Sequence, residues 1–249
     1  MSSERQLLNQ NDPWWGEHVH RYHEALQFVN GEDIILDIAC GTGFGSDILA
    51  QHTSGMVIGG DISADTIQEC NANWKRENLK FEVLDGTALS YNDNYFDKIV
   101  SFETIEHTAK YKEMLQEFHR VLKPGGIAFI STPNFPVNSP TGKVLNPYHT
   151  QEFTYAELKL LLGENFSNTK ITGQKYSRFD KGKVNRSGKI IYSFFNIIGI
   201  RKFTPFSIKN RVSNFFTGKP FYPVPEDFSL VTDEKMMLKC KTFFCICRK

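Results

Sequence analysis

At 249 residues the chain can bury one substantial core, and it is predicted to form a single domain, 1–249, carrying an insertion. The polar stretch 1–11 lacks an apolar signal segment, and no apolar run approaches the roughly 20 residues that span a bilayer; five cysteines without a C-x-x-C pair predict reduced, packed thiols and a cytoplasmic location. The formal net charge of +1 conceals an asymmetry, because 170–219 carries twelve Lys and Arg against the single acid Asp180, which makes that stretch +11 and the remainder −10.

In chain order, 14–29 reads as a helix within an N-terminal cover spanning 1–30. Residues 34–45 (Ile-Ile-Leu-Asp-Ile-Ala-Cys-Gly-Thr-Gly-Phe-Gly) read as a buried strand entering a glycine-rich turn, with a helix starting near Ser46 whose N–H groups face the same point. The third glycine, Gly45, arrives one residue too early for a dinucleotide fingerprint, which favours a ligand without a pyrophosphate. Strands follow at 56–60, ending in Asp61, and at 81–84, ending in Asp85 and Gly86, with a helix from Ser63 to about residue 76 between them. A fourth strand covers 96–102, and an amphipathic helix over 111–122 stops at Lys123-Pro124-Gly125-Gly126 before the fifth strand, 127–131. Beyond a Pro- and Asn-rich loop come a helix over 155–162, a strand over 170–176, a cap insertion over 177–234, and a final strand over 242–247. This alternation predicts an α/β, doubly wound, mostly parallel Rossmann-like sheet with a basic cap before its last strand.

In such a sheet an acid ending the second strand can take both hydroxyls of a ribose, and Asp61 stands there, although a dinucleotide presents the same diol. The acid-x-x-x-G-x-G-x-G pattern from Asp37 to Gly45 resembles motif I of the class I S-adenosylmethionine (SAM) methyltransferases. Phe96-Asp97-Lys98-Ile99-Val100-Ser101-Phe102-Glu103-Thr104-Ile105-Glu106-His107 and Phe118-His119-Arg120-Val121-Leu122-Lys123-Pro124-Gly125-Gly126 resemble the fourth- and fifth-strand motifs of that family, especially its ubiquinone-pathway O-methyltransferase branch. The resemblance covers about 22–166 and implies a seven-stranded sheet. It also implies a cofactor site in which Gly41, Gly43, Gly86 and Phe102 take part. Within that site Asp85 would accept from the adenine amino group, Asp37 would lie near the methionine amino group, and Arg21 would grip the carboxylate. An N-cap or turn role is the plain alternative for each Asp, and a solvated helix position is the alternative for Arg21.

Glu103, Glu106 and His107 stand at i, i+3 and i+4, so a helical turn there would place all three on one face. The E-x-x-E-H pattern resembles the metal-binding element of the ubiquinone-pathway enzymes and of small-RNA terminal 2′-O-methyltransferases. In the RNA enzymes a further His completes the set, and His149, in Asn146-Pro147-Tyr148-His149-Thr150-Gln151-Glu152-Phe153, is the matching residue here. The resemblance thus implies Mg²⁺ or Mn²⁺ held by Glu103, Glu106, His107 and His149, lowering the pKa of an acceptor hydroxyl. The alternative is metal-free, with His107 or His149 as general base and Glu106 complementing a helix N-terminus.

The apolar run 190–200, flanked by basic residues, fits a lid helix packed on the sheet, a weak membrane-surface contact through 177–219, or base stacking. No RNA-binding module accompanies it, which disfavours nucleic acid. The combined reading is a SAM-dependent O-methyltransferase acting on a sugar-like or polyhydroxylated anionic small molecule or glycan precursor. Bacterial surface-glycan methyltransferases are associated with such segments by resemblance. The alternatives are N-methylation of a small amine or phosphoramidate, RNA-end 2′-O-methylation, a nucleotide-dependent oxidoreductase and a catalytically idle SAM-binding subunit.

Overall fold

A computed structural model describes residues 12–177 and 205–249. The apolar run 190–200 and the basic residues Lys181, Lys183 and Arg186 lie outside the described residues. The strands are β1 (Ile35–Ile38), β2 (Val57–Asp61), β3 (Leu79–Val83), β4 (Phe96–Phe102), β5 (Leu122–Pro133), β6 (Asn168–Tyr176), β7 (Phe228–Val231) and β8 (Thr242–Arg248). They form one sheet in the order β3-β2-β1-β4-β5-β8-β6-β7. Strands β1 to β5 pair in parallel, and β8 runs antiparallel between β5 and β6.

The sheet therefore has eight strands where seven were expected. The added one, β7, is a four-residue strand, half-buried along its whole length. So short an element inside the stretch read as insertion has neither the length nor the clean alternation that announces a strand.

The helices are α1 (Trp15–Leu26), α2 (Phe44–Ala50), α3 (Ala64–Asn73), α4 (Tyr111–Val121), α5 (Phe135–Asn138), α6 (Tyr155–Gly163), α7 (Phe206–Thr217) and α8 (Glu234–Met237). Helix α2 begins two residues ahead of Ser46 because Gly43, left-handed at φ 78°, is itself the N-cap. Ser63 caps α3 by accepting from the Thr66 N–H at 3.3 Å. Helix α6 opens on a reciprocal capping box between Thr154 and Glu157. Among the described residues no helix is long and apolar enough to cross a membrane.

The chain divides into two compact units, one of 21–175 and 230–249, the other of residues up to His20 and 176–229. The first contains the core, in which Leu36, Phe96, Leu115, Phe118, Phe243 and Cys245 are fully enclosed. In the second, buried Asp227 pairs with Lys219 at 2.6 Å and its carbonyl accepts from the Ser177 N–H at 2.7 Å.

The Ser-Thr-Pro-Asn segment ending β5 has a structural task in the sheet-bearing unit. Asn134 is buried, and its amide donates to the carbonyls of Leu238 and Cys240 at 3.0 and 2.9 Å, tying the turn before β8 to the end of β5. Asn134→Ala removes both bonds and leaves the two carbonyls unpaired, so urea unfolding should show a loss of about 2 kcal/mol.

Candidate active site

The connections leaving β1 and β4 diverge, one toward β2 and the other toward β5, which opens a crevice at the carboxyl ends of these two neighbouring strands. Both ends are backbone-strained. Ala39, just after β1, has φ 60° and Glu103, just after β4, has φ 52°, in a region that side chains other than Gly and Asn rarely adopt.

On the β1 side, Gly41 is left-handed at φ 55° with open space where a Cβ would point, so its backbone can be approached closely. The Asp61 carboxylate accepts from the Gly41 N–H at 3.2 Å and from the Ser63 N–H at 2.9 Å, bracing the turn against the start of α3. Ile62, its neighbour, is 72 % exposed, an apolar side chain beside Asp61 that was not singled out from sequence. Asp85 is exposed and accepts from the Thr87 N–H and hydroxyl, each at 2.8 Å; these bonds hold its pKa below the usual carboxylate range. Gly86 is buried, with Met114 beside it.

Asp37 lies under the turn, buried, accepting from the Ser46 hydroxyl at 2.6 Å and the Tyr22 hydroxyl at 3.1 Å. Burial pushes its carboxyl up to about 7, against the lowering effect of those two bonds. Phe102 is buried in an aromatic group, its ring 5.0 Å from Tyr22 and 5.8 Å from Phe244. Its side chain therefore serves packing, whatever its backbone presents to the crevice.

Arg21 is 1 % exposed, far from the solvated helix position considered for it. Its Nε donates to Gln174 Oε1 at 2.8 Å, and its Nη1 meets Ser131 Oγ at 3.3 Å and Glu103 Oε1 at 3.2 Å. Ser131 also donates to Glu103 Oε1 at 2.6 Å. Glu103 is thus turned toward Arg21 and away from the grouping expected of it. The single helical face proposed for Glu103, Glu106 and His107 does not form, because the helical turn is a 3-10 segment that starts only at Ile105.

Three residues do converge: ligand atoms of Glu106, His107 and His149 all lie within 4.8 Å of one another. Glu106 is fully buried. Its Oε2 accepts from Thr132 Oγ1 at 2.9 Å, while Oε1 has no hydrogen-bond partner among the described residues and lies 3.9 Å from His107 Nε2. Burial, reinforced by the nearby Glu103 charge, holds the Glu106 carboxyl well above its ordinary pKa. His107 Nδ1 donates to the Tyr148 carbonyl at 3.1 Å, which leaves Nε2 as the basic ring atom. His149 reaches the group because its loop is latched to the turn. The Thr150 N–H and hydroxyl donate to the Glu106 carbonyl at 2.8 and 3.0 Å, and the Gln151 amide donates to the Ile105 and Thr108 carbonyls at 2.7 and 3.0 Å. Neither latch residue was singled out from sequence. Their only signal is position, directly after His149.

Residues 36–130 match the model of a methyltransferase domain. A probable SAM-dependent methyltransferase from Mycolicibacterium smegmatis is 34 % identical over 156 residues, 62 % of this chain and 59 % of that protein. A phosphoethanolamine N-methyltransferase from Triticum aestivum is 35 % identical over 117 residues, 46 % of this chain and 23 % of that protein. The mitochondrial ubiquinone biosynthesis O-methyltransferase of Dictyostelium discoideum is 30 % identical over 126 residues, 45 % of this chain and 37 % of that protein. The chain thus spans less than two thirds of each of these curated relatives. A solved SAM-dependent methyltransferase from Archaeoglobus fulgidus shares the fold, with a TM-score of 0.59 at 20 % identity over 94 % of each chain. Over residues 36–130 the chain is thus similar to SAM-dependent methyltransferases, and its sheet and crevice are of the kind their fold has.

The raised Asp37 carboxyl has a measurable consequence for stability. The folded state keeps a proton that the unfolded chain releases from about pH 4 upward, so the cost of burying this group grows as pH rises through about 7. Urea unfolding at about pH 5 and about pH 8 should show Asp37→Asn gaining stability relative to the wild type at the higher pH. An unchanged difference between the two conditions would contradict the burial argument.

Proposed function

We propose that the protein transfers the SAM methyl group to a hydroxyl oxygen of a polyhydroxylated, anionic small molecule or glycan precursor. The observation that carries the oxygen reading is the Glu106–His107–His149 group, which follows β4 immediately at the crevice where the cofactor of such a fold is held. Asp61 takes the ribose hydroxyls, Asp85 the adenine amino group, and Ile62 packs against the adenine face. Asp37 faces the methionine ammonium, Arg21 serves its carboxylate, and the bare backbone of Gly41 lets the cofactor approach, while Gly43 packs against Phe81 and Trp74. The anionic character of the acceptor follows from the +11 charge of 170–219.

The same group fits a divalent cation. Glu106 Oε1 is a buried carboxylate oxygen with no hydrogen-bond partner among the described residues, a costly arrangement that a cation relieves, and two imidazoles stand within reach of it. Glu106, His107 and His149 would hold Mg²⁺ or Mn²⁺, with the softer imidazole set favouring Mn²⁺. Glu103 would be a member only if it left Arg21. When bound, the ion supplies Lewis acidity that lowers the acceptor hydroxyl pKa. The protein's own residues align the acceptor oxygen with the methyl carbon and sulfur; in the absence of the ion, His107 or His149 accepts the hydroxyl proton.

A second reading, N-methylation of a small amine with the His base and no metal, is favoured by the phosphoethanolamine N-methyltransferase match.

Calorimetry should show binding of SAM and S-adenosylhomocysteine without comparable binding of NAD, and Asp61→Ala should weaken it by about tenfold or more, equivalent to about 1.4 kcal/mol. Transfer of labelled methyl to a panel of sugar phosphates and polyols, rather than to amines, tests the oxygen reading. Turnover lost in EDTA and restored by Mg²⁺ or Mn²⁺ supports the cation, whereas full turnover in EDTA removes it and leaves the histidine base.

A further inference from the structure

The surroundings of His149 determine its protonation pattern from two sides. On one side Asn146 Oδ1 accepts from the Tyr148 N–H at 3.0 Å, which fixes the amide so that its Nδ2 faces His149 Nε2 at 2.9 Å. An amide nitrogen can only donate, so Nε2 accepts and carries no proton. The neutral ring must then carry its proton on Nδ1.

On the other side that Nδ1 lies 2.8 Å from Glu152 Oε1. The second carboxylate oxygen is also fixed: Ser139 Oγ accepts from the Leu145 N–H at 3.2 Å and gives its own proton to Glu152 Oε2 at 2.8 Å. Both oxygens of a side chain only 2 % exposed are thereby occupied, one of them by the imidazole.

We propose that Glu152 is a positioning residue that holds His149 as its Nδ1–H tautomer and so keeps Nε2 as the atom that acts in methyl transfer. The proposal rests on the reading of His149 as the proton acceptor of an ion-free site. Glu152 touches neither cofactor nor acceptor in this role; it orients the ring and raises the electron density at Nε2, as carboxylates do behind other working imidazoles. Asn146 donates to Nε2 where an acceptor hydroxyl would donate, and gives way to it. As the acceptor oxygen bonds the methyl carbon and the C–S electron pair passes to sulfur, the hydroxyl proton moves to Nε2. The resulting imidazolium remains paired with Glu152.

Long-range ¹H–¹⁵N spectra of the labelled full-length protein read this tautomer without any acceptor, with the His149 signals assigned by their loss in His149→Gln. The wild type should show a protonated Nδ1 and a bare Nε2. Glu152→Gln, whose amide oxygen still accepts from Nδ1, should keep the pattern while lowering kcat about tenfold at unchanged SAM KM. Glu152→Ala should lose the pattern and populate the Nε2–H form, with SAM binding by calorimetry as the folding control. A wild-type Nε2–H ring, or an unaltered pattern in Glu152→Ala, overturns the proposal. Should Glu152→Ala not fold, the wild-type spectrum and the Glu152→Gln rates decide it. A Nδ1–H ring together with full turnover in His149→Gln would instead overturn the catalytic reading of His149 while leaving the tautomer assignment standing.

Discussion

The left-handed backbone of Glu103 is the constraint on which the rest of the site depends. A non-glycine residue at φ 52° carries strain on the order of 1–3 kcal/mol. It persists because the side chain is caught by Arg21 and Ser131 and its N–H by the Ser131 carbonyl at 3.0 Å. The turn divides two carboxylates that a continuous helix would have stacked. Glu103 joins the buried Arg21 guanidinium, and Glu106 is left two residues into a tight 3-10 segment with one oxygen unpartnered among the described residues. The same twist exposes the Glu106 carbonyl to Thr150, and through that latch it admits His149.

Two carboxyls near the crevice, Asp37 and Glu106, are perturbed in one direction and for one leading reason, the loss of water around them. They differ in how far hydrogen bonding compensates. Asp37 has two hydroxyl donors, whereas Glu106 has one side-chain donor and the repulsion of Glu103. A group in the first condition suits a cationic ligand that comes and goes. One in the second is satisfied only by a proton or by a more permanent positive charge.

The strand-turn-helix at β1 was legible because glycine spacing and burial impose it locally, and β4 was legible over 96–102 because Ile99, Val100 and Phe102 sit in a short β-prone stretch that stops at Glu103. What sequence spacing could not convey was the conformation of Glu103, since i, i+3, i+4 arithmetic presumes a helix that the chain does not form there. Ser139, Asn146 and Glu152 escaped for a different reason. Their roles arise from hydrogen bonds within a Pro- and Asn-rich loop, where no periodicity assigns partners, and His149 itself was reached only by resemblance. The short strand β7 was invisible for want of length, and the Asn of Ser-Thr-Pro-Asn proved to be a brace for the approach to β8.

The placement of β8 also bears on how the molecule is assembled. It is the last strand in chain order, yet it lies between β5 and β6, with register contacts to both. While the chain grows, strands β1 to β5 can pair as they emerge, but β5 then presents a bare apolar edge that is not covered until β8 arrives, after the whole intervening loop, helix and insertion have been made. Such an edge invites pairing with the wrong chain. The non-local contacts that close it also make the final step slow. The heart of the sheet is thus its latest-formed part, and nascent chains of this protein should depend on chaperones at that stage more than at any earlier one.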